Sequence, residues 1–168
     1  VMKSPTLVEE KLLWENNYLL VAGLDEAGRG PLAGPVVAAA VCITSPLFKE
    51  IIGVNNSKAL SEKRREALYE VITTHPDISW GVGIVSEEVI DKINILQATK
   101  LAMQQALENI KADYLLIDGN FSIDTSRLLR QGFGGPKQKS IIKGDEIVYS
   151  IAAASIIAKV TRDRLMKE

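Results

Sequence analysis

Apolar and polar positions along this chain fall into short segments of two periods, and the two kinds alternate. Apolar and β-branched residues from Tyr18 to Leu24 predict a strand that runs into a glycine-rich turn, and Pro35 to Ile43 predicts a second strand. Ser61 followed by Glu62, with Leu60, Ala67, Leu68, Val71 and Ile72 on one stripe, predicts a helix that ends near His75-Pro76. Trp80 to Val85 alternates as a strand. Ser86-Glu87-Glu88 opens a long helix through Ile93, Leu96, Leu101, Met103 and Leu107, with a break expected near Ile93-Asn94. Tyr114 to Ile117 is the short unbroken apolar run of a buried central strand, closed by Asp118-Gly119-Asn120. A glycine-rich irregular stretch over 121–138 leads to a strand at Lys139 to Ile142 and an Ala-rich helix from about Val148 to Met166. Residues 1–17, with Leu7, Leu12, Leu13 and Trp14 among charges, suit a short amphipathic helix. Strands alternating with helices make the chain α/β, and no internal repeat or linker divides it, so one domain over 1–168 is expected.

Composition agrees: 168 residues, 46% of them hydrophobic, suffice for a substantial core. The longest apolar run, Val36 to Ile43, is too short to cross a bilayer, and no basic leader precedes a long apolar stretch, so a soluble, cytoplasmic protein with no membrane partner is expected. Twenty basic residues nearly cancel twenty-one acidic ones, so bulk charge does not announce a nucleic-acid partner, and any such reading must rest on local patches. Lys58, Lys63, Arg64 and Arg65 form one basic cluster and Lys137, Lys139 and Lys143 another; each suits phosphate contact or a solvated face. Cys42 is the sole cysteine and sits in the apolar run, as a small buried thiol would. His75, the sole histidine, stands at a helix end, where a cap or surface role argues against a Ser-His-Asp triad.

The acids are more informative. Asp25 and Glu26 follow one apolar strand, Asp118 ends another, and Asp145 follows a third across Lys143-Gly144. Successive strand residues point to opposite faces, so Asp25 and Glu26 would share a site only if the backbone turns there, which Gly28 and Gly30 permit. Carboxylates gathered this way repel one another unless protons or cations intervene. Without a His/Cys cluster to suggest zinc, Mg²⁺ or Mn²⁺ fits best, and a pair of such ions suits phosphodiester chemistry. Acids at strand ends also cap helices or simply face water, so spacing alone leaves both readings open.

Gly28-Arg29-Gly30-Pro31-Leu32-Ala33 formally matches a dinucleotide fingerprint, but the adjacent acids would repel a pyrophosphate, Pro31 removes an amide donor, and no acid ends a strand about twenty residues on. The segment suits close backbone approach to a sugar-phosphate, or a plain tight turn.

Several of these segments together resemble bacterial ribonuclease HII. Gly23 to Gly34 (GLDEAGRGPLAG) resembles that family's opening signature, and so do Asn56 to Arg65 (NSKALSEKRR), Asn94 to Thr99 (NILQAT), Ile117-Asp118-Gly119, Lys143-Gly144-Asp145 and Ala152 to Asp163 (AAASIIAKVTRD), in the family's order. The resemblance implies an RNase H-like fold, a central mixed sheet flanked by helices, with Asp25, Glu26, Asp118 and Asp145 as catalytic, metal-binding acids for Mg²⁺ or Mn²⁺. Gly28, Arg29 and Gly30 would read the 2′-hydroxyl, and Lys58, Lys143 and Ser155 would contact phosphate or backbone. The implied substrates are RNA/DNA hybrids and duplex DNA containing ribonucleotides, cut on the 5′ side of a ribonucleotide by a monomer.

Three departures stand out. Asn56-Ser57-Lys58-Ala59 replaces the family's usual Asp-Ser-Lys-Lys, and the 118–145 stretch is longer than expected. The family also continues into a Gly-Tyr-Gly-Thr-like segment that this sequence, ending at Glu168, does not contain. The last departure implies a shortened chain and opens an alternative, a hybrid-binding domain with little or no turnover.

Overall fold

The computed structural model describes residues 4–29, 33–128 and 135–168. Among these, five strands form one mixed sheet: β1 (Val21–Ala27), β2 (Val36–Ile43), β3 (Ile78–Val85), β4 (Tyr114–Asp118) and β5 (Lys137–Ile141), in the order β3-β2-β1-β4-β5. The β1–β2 and β2–β3 pairs are antiparallel, whereas β1–β4 and β4–β5 are parallel. The helices are α1 (Val8–Glu15), α2 (Glu62–Thr74), α3 (Glu87–Ile93), α4 (Ile95–Ala106), α5 (Gly144–Ile147) and α6 (Tyr149–Met166).

Side-chain alternation on β1 and β2 splits the core into two layers. Val21, Ala39 and Val41 face α6, where they meet Ile151, Ile156 and Ile157 together with Ile72 of α2 and Leu7 and Trp14 near α1. Ala22, Leu24, Ala38 and Ala40 face α4, meeting Ala98, Ala102 and Met103. Each of the three α6 isoleucines is fully buried, worth about 1.5–3 kcal/mol apiece. Alanines and glycines on the sheet let the helices come close. A Cβ on Gly23 would fall into the backbone of Ser150-Ile151, and one on Gly83 would strike the carbonyl of Ala102.

Observed boundaries differ from the expected ones where hydrogen bonding outlasts apolarity. The first strand runs over Val21–Ala27 instead of Tyr18–Leu24, because its ladder with β2 continues through Asp25↔Ala39, Glu26↔Ala38 and Ala27↔Val37. Asp25 and Glu26 therefore lie inside a strand, and the expected turn comes after them, at Gly28 (φ +103°). The long helix after Ser86 is two helices. Asn94, at φ 71°, ends α3, and its side chain accepts from the Gln97 amide to cap α4. Asp145 follows β5 across Lys143-Gly144 as expected, and the structure adds that it lies in the first turn of a one-turn helix, α5, which opens at Gly144.

The sole cysteine and the sole histidine stand where the sequence places them. Cys42 is buried and its thiol is pushed up to about 12 by that burial. His75 closes α2 and accepts from the Asp77 amide, and Trp80 packs against Tyr69. Among the described residues no helix is long and apolar enough to cross a membrane.

Candidate metal centre

The parallel pairing of β1 with β4 places the first two acids. Leu24 is in register with Ile117, so the next residues, Asp25 and Asp118, stand side by side at the ends of adjacent strands. Alternation then fixes their direction. Asp25 shares a face with Val21 and Gly23, and Asp118 with Leu116, so both point toward α6.

The third acid arrives by a sharp turn. After β5, Lys143 takes the left-handed conformation (φ 56°, ψ 36°), and the Gly144 N–H donates to Asp118 Oδ1 at 2.7 Å. That bond holds the Asp118 carboxylate and sets Asp145 in the first turn of α5. Gly144 packs closely on α6: a Cβ there would lie 2.6 Å from Ile151 Cδ1, so that side chain would have to move. One oxygen from each of Asp25, Asp118 and Asp145 lies within 4.8 Å of the others. At that spacing each ionised pair repels by on the order of 3 kcal/mol at an effective dielectric near 20.

The electrostatics follow. Burial, then the charges of Glu26 and Asp118, push the Asp25 carboxyl well above the usual carboxylate range. Burial and Asp118 also raise Asp145, against which the nearby Lys58 charge works. Glu26 is pushed to about 7, by burial and then by Asp118. Among the described residues no ion pair relieves Asp25, Asp118 or Asp145.

Four acids were expected together, and three converge at this spacing. Glu26 stands outside that trio, with Oε1 3.8 Å from the Arg29 guanidinium and Oε2 buried without a partner, but it is near enough for Asp118 and the Asp25 side chain to act on its carboxyl. Hard oxygen donors that outnumber the nearby positive charges, with the Glu26 Oε2 buried and unpartnered beside them, fit Mg²⁺ or Mn²⁺. Asp25, Asp118 and Asp145 would hold such ions, with Glu26 alongside.

The other expected site residues are spread around this centre. Lys58 is exposed on a 3₁₀ turn (Ser57–Ala59), close enough to bias Asp145. Lys143 is exposed at the turn into α5. Arg29 is exposed and lies 5.9 Å from the Phe121 ring centre. Gly30 lies outside the described residues, as does part of the 121–138 loop. Ser155 is only 5% exposed, and its hydroxyl meets that of Ser57 at 2.7 Å, so it anchors the turn carrying Lys58 and does not face open solvent. The second basic cluster is divided: Lys137 lies over Tyr18, Lys139 pairs with Glu9, and Lys143 alone of the three stands at the acids.

Two residues with no role assigned from sequence also shape the site. Ser57 is the partner of Ser155. Arg162, 6% exposed, donates from Nη2 to Ala33 O at 2.6 Å and from Nε to Pro35 O at 3.0 Å, and its side chain fills the space a Cβ on Gly28 would need. Arg162 thereby ties down the turn that follows the acidic strand. A signal was present: it stands seven positions after Ser155, hence on the same face of a mostly apolar helix, where a charged residue requires partners.

Comparison with known proteins agrees with this geometry. The family model described as ribonuclease HII matches residues 22–168. Ribonuclease HII of Acetivibrio thermocellus is 51% identical over 163 residues, 96% of this chain and 59% of that protein. Ribonuclease HII of Rickettsia bellii is 52% identical over 161 residues, 94% of this chain and 75% of its own length. This chain thus spans between about three fifths and three quarters of these relatives. Among solved structures, a complex of PCNA and RNase HII from Archaeoglobus fulgidus matches with a TM-score of 0.70 and 33% identity, over 88% of this chain and 73% of that one. The mixed sheet flanked by helices is accordingly an RNase H-like fold, and the chain belongs to the ribonuclease HII family.

Proposed function

We propose that this chain is an endoribonuclease that hydrolyses the RNA strand of RNA/DNA hybrids and cuts on the 5′ side of ribonucleotides embedded in duplex DNA. One observation carries the reading: three carboxylates from β1, β4 and α5 converge within 4.8 Å without an ion pair among the described residues. Such a cluster suits divalent ions better than any protein cation. Mg²⁺ or Mn²⁺ bound there would activate a water and stabilise the leaving oxygen of the phosphodiester.

The chain's own residues supply position and discrimination. Asp25, Asp118 and Asp145 would hold the ions, with the Glu26 carboxyl beside them. The turn at Gly28 brings backbone near the sugar, where a 2′-hydroxyl separates RNA from DNA. Arg29 on one flank and Lys58 and Lys143 on the other offer charge to phosphates. Water adds across the P–O3′ bond and leaves a 3′-hydroxyl and a 5′-phosphate. A monomer acting in the cytoplasm goes with this reading.

The test is cleavage of a duplex carrying one ribonucleotide, with an all-DNA duplex as control. Metal-dependent cleavage of the first alone is expected, with Asp118→Asn lowering the rate at least 10²-fold, as loss of one preorganised electrostatic group does. Cleavage that survives Asp118→Asn would refute the assignment. Hybrid binding without turnover would instead make the chain a recognition domain.

A further inference from the structure

Helix α1 precedes the residues that the family model matches, yet its contacts converge on the segment that carries Asp145. Leu7 and Trp14 anchor it in the α6 layer. From there, residues Thr6 to Glu10 reach both flanks of the third acid.

On the C-terminal flank, Thr6 pairs with Val148 as a short parallel bridge: its N–H donates to Ile147 O at 3.1 Å, and its carbonyl accepts from the Tyr149 N–H at 3.0 Å. Glu10 is fully buried, and its Oε2 accepts from the Ser150 N–H at 2.7 Å. Val148, at the cap position of α6, contributes no side-chain cap, so the first two amides of that helix are satisfied by the N-terminal segment. On the N-terminal flank, Glu9 pairs with Lys139 of β5 at 3.3 Å.

Between these flanks lies a helix of one turn. Four residues cannot hold helical geometry unaided, because nucleation is costly and only external contacts compensate. Besides packing on the start of α6 at Ile151, α5 is held by the Gly144 bond to Asp118 at one end and, at the other, by the Thr6 bond to Ile147 O, next to the Thr6 and Glu10 bonds to Tyr149 and Ser150 of α6. Ser150 is also pressed against Gly23, two residues before Asp25 on the same strand face, so a shift of α6 here would be felt by two of the three acids.

We infer that Glu10 is a positioning residue for the metal centre, fixing where Asp145 stands by holding the start of α6 and, through it, α5. The inference rests on reading Asp25, Asp118 and Asp145 as that centre, so its test measures metal directly. Mn²⁺ binding is followed by calorimetry and by the electron-spin signal of the bound ion. Glu10→Ala is expected to weaken binding about fivefold, the low end of ordinary site-to-site coupling, while Glu10→Gln, which keeps an acceptor for the Ser150 amide, stays near the parent. Met103→Ala, a cavity in the opposite core layer, should destabilise the fold and leave Mn²⁺ affinity unchanged.

Coupling is reciprocal, so the unaltered chain provides a second measurement that needs no variant to fold: Mn²⁺ should slow hydrogen exchange of α1 amides as well as those of α5. Unchanged Mn²⁺ affinity in folded Glu10→Ala, equal weakening by Met103→Ala, or α1 exchange indifferent to metal would each overturn the inference. A parent chain that binds no Mn²⁺ would overturn the metal reading beneath it.

Discussion

Asp25 shows most plainly how one residue can be set against the fold that holds it. It is 4% exposed, beside Glu26 and Asp118, and raised well above its ordinary range by burial and by their charge. A residue kept for packing would not be an acid here, since an apolar or amide side chain would relieve the repulsion. Asp25→Asn is therefore expected to raise the melting temperature of metal-free protein by a few degrees, at roughly 2–4 °C per kcal/mol for a chain of this size. The same change should abolish most of the thermal stabilisation that Mg²⁺ confers, so scans with and without the ion should move in opposite directions. A fall in metal-free stability would show that the bond Asp25 Oδ1 accepts from the Glu26 N–H at 2.7 Å outweighs the repulsion. The acids were legible in the sequence because four of them recur after apolar runs. How closely they converge was not, because that depends on register and on where the backbone turns: the strand continues through Ala27, so Asp25 joins Asp118 and Asp145 within 4.8 Å while Glu26 stands just outside that trio.

Among elements, α6 does the most to organise the site. Its apolar stripe fills one core layer, Ser155 reaches the Lys58 turn, and Arg162 reaches the loop after β1. The helix itself could be read from composition. Its polar contacts could not, because a serine or arginine in an Ala-rich helix shows its partner only after the chain has folded back. The Ser57–Ser155 pair lends itself to a double-mutant cycle. Either Ser→Ala change alone leaves a buried hydroxyl unpaired and should cost about 1–3 kcal/mol, whereas the double change should cost clearly less than the sum. Urea unfolding measures this, and strict additivity would mean the hydroxyls do not depend on each other. Broken helices were also partly readable: Asn94 was visible as an interruption, but only its positive φ makes it both the end of α3 and the cap of α4.

For the molecule as a whole, Glu10 links pH to stability. Burial raises its carboxyl from 4.5 to about 7, so the folded chain keeps a proton that the unfolded chain releases. The sign follows from linkage: this contribution is fully present below about pH 4.5 and is lost as pH rises through 7, on the order of 3 kcal/mol in all. Glu10→Gln, which does not titrate, should gain stability relative to the parent between pH 5 and pH 8, read from thermal melts in metal-free buffer. A parallel pH profile for the two proteins would show that Glu10 is ionised in the fold throughout. The α/β architecture was readable from alternating periods, whereas the tie between the N-terminal helix and α6 joins residues 140 apart, and no local pattern carries it.

The parallel pairing of β1 with β4 also bears on how the molecule comes into being. Leu20 and Asp113, at the start of that ladder, are 93 residues apart along the chain, with the β1–β2–β3 meander and three helices between them. Long-range parallel pairing closes slowly, because loop entropy must be met before its contacts help. As the polypeptide leaves the ribosome, the antiparallel strands can zip early, while Asp25 waits, unaccompanied, until Asp118 and then Asp145 have emerged. The grouping of three carboxylates that suits a divalent ion is thus complete only after β4 and α5 have joined β1, late in the making of the chain.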